Sequence, residues 1–114
     1  MSLRSSAPRW NKAPENALGY EIAQEQAAAL GRLGRALESA LAALASHDRT
    51  LAESGHAAKP AAAVRTKLVQ DASHALWCFI IQREACGLRD ERQVVREYRV
   101  PGEVRNRMGA FGAR

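Results

Sequence analysis

Large apolar residues recur at three- and four-residue steps through the first half of the chain: Leu18, Ile22, Ala29, Leu30, Leu33, Leu37, Leu41 and Leu44. That spacing gathers them on one side of a helix. Pro14 suits a first helical position, so the first long helix is predicted to start there. A break or fraying is expected after His47, because Ser46, His47 and Asp48 are weak helix formers. The alternative is continuation through Leu51 to a cap at Gly55. Gly31 and Gly34 lie inside this helix and, with Ala23 and Ala27, make a strip of small residues beside the leucines where a second helix could approach closely.

A second helix is predicted from about Pro60 to a stop at Gly87. Two long helices joined by about a dozen residues should fold back as an antiparallel hairpin. On the second helix Leu68, Ala72, Leu76 and Phe79 share one face, whereas Trp77, Cys78 and Ile81 point roughly the other way. Asp90 with Gln93 three residues on resembles a capping box opening a short third helix. Pro101 divides the remaining segment, which carries Val94, Val95, Tyr98, Val100, Val104, Met108 and Phe111, into two short helices, and Gly109 closes the last. Such short helices require packing on the hairpin. The fold class is therefore all-α, with residues 1–13 read as a flexible N-terminal tail and 14–114 as a single helical domain. Trp10 is the one residue of the tail suited to docking.

Composition changes this picture in one respect. Hydrophobic residues make up 46% of the chain, but twenty-three of its 114 residues are alanine, which favours helix and buries little area. Bulky core residues are scarce for so helical a chain, and the missing burial is expected from a second copy. The expected assembly is a homodimer in which two hairpins form a four-helix core. Trp77, Ile81 or the small-residue strip of Ala27, Gly31 and Gly34 would make the contact.

The net charge of +5 and a pI near 9.9 admit a polyanionic partner, yet arginines and carboxylates are interspersed and no long block of like charge occurs. Val94 to Met108 invites comparison with a helix-turn-helix, which gives a nucleic-acid-binding alternative using Arg99, Arg105 and Arg107. The comparison is imperfect: Arg99 occupies the turn position that usually takes glycine, and Val104 comes one residue early. Cys78 and Cys86, about 12 Å apart along one helix, cannot pair with each other. With no disulfide framework and no signal-peptide core near Met1, the cytoplasm is the expected compartment. The longest apolar run, Ala75 to Ile81, is far short of the roughly 20 residues of a membrane span.

Candidate chemistry is sparse. His74 and Cys78, four residues apart with Asp71 a turn earlier, could offer two or three ligands, but a closed zinc site needs four. No cofactor or metal is expected. Glu53 and His56 have the spacing of one half of a di-iron site, without the remaining ligands. Glu21 and Glu25 form an i, i+4 carboxylate pair best read as a solvated helix face. Nucleophile elbow, phosphate loop, dinucleotide fingerprint and Cys-x-x-Cys are all missing, so a non-enzymatic role is expected. Arg83, Glu84 and Asp90, placed where the second helix ends, are expected to bridge the hairpin to the C-terminal segment.

The stretches Ile81-Gln82-Arg83-Glu84, Gly87-Leu88-Arg89-Asp90 and Tyr98-Arg99-Val100-Pro101, with Val104 and Met108-Gly109, resemble the C-terminal signature of an uncharacterised family of small helical proteobacterial proteins. The resemblance implies a bacterial cytoplasmic setting and an all-helical fold. It carries no activity and no catalytic residue. The functional expectation is a homo-oligomeric interaction or scaffold protein.

Overall fold

The computed structural model describes residues 17–55 and 59–109. Four helices follow in order: α1 (Ala17–Ser54), α2 (Lys59–Ala85), α3 (Glu91–Tyr98) and α4 (Gly102–Arg107). The expectations for the tail, Trp10, Pro14, His56 and Phe111 fall outside the described residues.

Helix α1 does not break at His47. It runs unbroken to Ser54 and closes at Gly55, whose φ is +80° and whose N–H donates to the Leu51 carbonyl at 3.1 Å. Tertiary contacts override weak propensity here: Leu51 is half-buried, and Asp48 is held by Arg65 of α2. Helix α2 ends in the predicted way. The Leu88 N–H donates to the Arg83 carbonyl at 2.8 Å and the Gly87 N–H to the Glu84 carbonyl at 3.0 Å, with Gly87 at φ +88°. This is the glycine-assisted closure that satisfies otherwise orphaned carbonyls.

Asp90 then caps α3, its Oδ1 accepting from the Gln93 N–H at 3.3 Å. The box is only half made, because the Gln93 side chain donates instead to Glu97 at 3.1 Å. Arg99 follows in the left-handed region at φ 54°, and Pro101 precedes α4 with extended backbone.

The hairpin is antiparallel, and α1 and α2 share the largest contact of the fold. Its core consists of Leu37 and Leu44 from α1, with Val69, Ala72, Leu76, Phe79 and Ile80 from α2. Val94, Val100 and Val104 from the C-terminal pair complete it. The pair braces the hairpin through two further contacts. The Tyr98 ring meets Phe79 edge-on, with centroids 5.4 Å apart. The buried Ser73 Oγ lies 2.8 Å from the Val69 carbonyl and 2.9 Å from the Val104 carbonyl, so one hydroxyl links α2 to α4.

Candidate interaction surface

The register of the hairpin determines which part of α1 extends beyond α2. Asp48 lies opposite Arg65, and Gly34 opposite Phe79, so fourteen steps back along α1 match fourteen steps forward along α2. Continued six residues further, Ala85 at the end of α2 comes opposite Ala28. Residues Ala17 to Ala27 therefore overhang the hairpin by roughly 16 Å of helix. Every residue from Ala17 to Ala28 is exposed except Gly19, which is half-buried. Three of them are large and apolar, with Leu18 64%, Tyr20 54% and Ile22 52% exposed. The overhang was not legible in the sequence, because it depends on where α2 stops relative to α1.

On the outer side of α2, Trp77 is 40% and Ile81 45% exposed. The chain reaches this side at Gly109, where a Cβ would sit 3.9 Å from Cδ1 and Nε1 of Trp77. Within the small-residue strip the structure separates the members. Ala27 is exposed and Gly31 half-buried. Gly34 is buried inside the chain: a Cβ there would meet Tyr98 Oη at 3.0 Å and Phe79 Cε1 at 3.3 Å. The expectation that Gly34 faces a second copy is corrected accordingly, since its missing side chain lets α2 and α3 approach α1.

The charged bridge between the hairpin and the C-terminal brace is not made by Arg83 and Glu84. The Arg83 guanidinium lies over the Phe79 ring of its own helix, 5.8 Å from the centroid, and the Glu84 side chain is exposed. Asp90 acts as the cap of α3. The link is instead Arg65, whose Nε donates to Asp48 Oδ1 at 2.8 Å and whose Nη1 donates to Glu103 Oε1 at 2.9 Å. Its Nη2 contacts the second oxygen of each carboxylate. One fork-shaped donor thus joins α1, α2 and α4. Hydrogen bonding to Arg65 holds both carboxyls below their ordinary range, and the two carboxylates raise the guanidinium in turn.

Beside this clasp, between α1 and the C-terminal pair, lies a cleft of about 380 Å³ walled by Leu41, Ala42, Ala45, Tyr98 and Pro101. A neighbouring hollow of about 350 Å³ carries Glu38 and Glu97. Among the described residues that line them, none is a nucleophile paired with a base.

His74 and Cys78 do come together, Nε2 to Sγ at 3.5 Å, while Asp71 is engaged by Lys67 at 2.8 Å. Among the described residues no group of three or more His, Cys, Asp or Glu side chains is placed to hold a metal. Of the arginines considered for nucleic acid, Arg105 pairs with Glu91 at 3.5 Å, Arg99 caps α3, and Arg107 is exposed. Among the described residues no helix is long and apolar enough to cross a membrane.

These features define an all-helical protein built on an overhanging antiparallel hairpin with a two-helix C-terminal brace. The chain belongs to a family of unknown function, DUF6665, whose model matches residues 1–114. No curated protein and no solved structure matches it.

Proposed function

We propose that the protein is a cytoplasmic, non-enzymatic interaction protein that works as a homo-oligomer. The observation that carries this reading is the overhang of α1, with Leu18, Tyr20 and Ile22 each more than half exposed on a helix extension that α2 does not reach. A helical segment of this length gains little stability by itself, since helices in proteins are held mainly by packing of an apolar face. Covering Leu18 and Ile22, one turn apart on the arm, with a second copy stabilises both the arm and the pair. A nucleic-acid role has less support, because Arg105 already faces a carboxylate and α4 has only six residues.

Light scattering of the full chain at micromolar concentration tests the reading. The expected mass is twice 12.4 kDa. A lone species at the single-chain mass rejects it.

A further inference from the structure

The charges on α1 indicate how two copies meet. Leu18, Glu21, Glu25, Arg32 and Ala36 follow one another at steps of three, four or seven residues, which aligns them along one outward line of the helix. All five are exposed. Glu25 and Arg32 reach each other at 3.9 Å within the chain, which shows that they share that line. The contact is loose, with side chains 76% and 60% exposed.

The sign of charge divides cleanly along this stretch. Between Ala17 and Gly31 the only charged residues are Glu21 and Glu25, and the next two are Arg32 and Arg35. An acidic arm is thus followed by a basic turn.

We propose that the arm's partner is the same stretch of α1 in a second copy, running antiparallel and centred between Ala28 and Ala29. In that register Glu25 faces Arg32 of the second copy, Glu21 lies beside its Arg35, and Leu18 packs near its Ala36 and Ser39. The twofold axis repeats each contact. Parallel pairing in register sets Glu against Glu and Arg against Arg, so like-charge repulsion selects the antiparallel arrangement. The alanines at the centre permit close approach of the two helices. The cleft beside Tyr98 is a poorer seat for the arm, because Glu38 and Glu97 at its neighbouring hollow repel Glu21 and Glu25. Since the pairs are exposed, the association is salt-sensitive.

This inference rests on the homo-oligomer reading, and a charge-swap experiment separates the two. E21R/E25R carries only positive charge on the line, and R32E/R35E only negative. Each variant alone is expected to associate at least tenfold more weakly than the unaltered chain in sedimentation equilibrium, with helical circular dichroism retained. Mixing the two in equal amounts restores assembly at twice the single-chain mass. The unaltered chain should also associate at least tenfold more weakly at 500 mM than at 50 mM salt, a measurement that requires no variant to fold. Unaltered chain that never dimerises overturns both readings. A dimer of unaltered affinity in either variant, no rescue on mixing, or indifference to salt overturns the antiparallel α1 register and leaves the homo-oligomer reading standing.

Discussion

Arg65 and Asp48, seventeen residues apart, meet with both nitrogens of one guanidinium edge on both oxygens of one carboxylate, at 2.8 and 3.1 Å. The remaining donors of the same group reach Glu103 on α4. The pair therefore secures the end of the hairpin where α1 passes into α2 and, through Glu103, the short helix that closes the core around Val104.

Replacing Arg65 with methionine removes the clasp and leaves Asp48 and Glu103 as neighbouring like charges. Because the side chains are one-third to one-half exposed, solvent screening limits the loss to roughly 1 kcal/mol. Urea denaturation at neutral pH measures it. The loss depends on pH with a definite sign. Both carboxyls are held below their ordinary values of 3.8 and 4.5, so their contribution is full above that range and is lost as the pH falls through the depressed folded-state values. The stability gap between the unaltered chain and R65M should be constant from neutral pH down to the ordinary carboxylate range and close as the pH falls through the depressed values below it.

Ser73 is buried, and its hydroxyl is the side-chain link to the Val104 carbonyl. Ser73→Ala strands that carbonyl and should cost roughly 1–2 kcal/mol. The loss should be accompanied by faster hydrogen exchange in α4 than in α1, because α4 has only six residues and depends on its contact with α2.

Gly31 and Gly34 look alike in the sequence and should respond oppositely to substitution. A Cβ at Gly31 meets only the flexible guanidinium of Arg35 at 3.3 Å, so Gly31→Ala gains helix propensity and should stabilise by up to about 1 kcal/mol. Gly34→Val drives a branched side chain into Tyr98 and Phe79 and should destabilise by about 2–3 kcal/mol. Thermal unfolding of the two variants, side by side, checks the contrast.

Arg99 is the one non-glycine residue in the left-handed region among those described. Its side chain is exposed, so Arg99→Gly relieves backbone strain without emptying a packed site. The melting temperature should rise, by an amount corresponding to at most about 1 kcal/mol.

Much of the architecture could be read from local signals. The stop at Gly87, the cap at Asp90, the break at Pro101 and the end at Gly109 are each specified within a few residues, and the structure places them there. Helix α1 outran its local signal at His47, because the turn that follows is stabilised by residues on another helix. The clasp has no local signal for the same reason: Asp48, Arg65 and Glu103 are separated by seventeen and thirty-eight residues, and no short-range pattern marks them as neighbours. Arg83 had the plausible position at the end of α2 and turned back onto its own Phe79 instead. The site expectations suffered most, since whether Gly34 is inside or outside depends on the rotation of one helix against another.

The central claim is that the overhanging arm of α1 is covered by a second copy. Hydrogen exchange of the backbone amides from Leu18 to Ala28, followed across protein concentration, tests it most directly. An arm held only by its own helix frays and exchanges quickly, so protection of these amides should rise steeply with concentration while that of Leu37 and Leu76 stays constant. Fast exchange of the arm at every concentration up to the highest attainable would contradict the account.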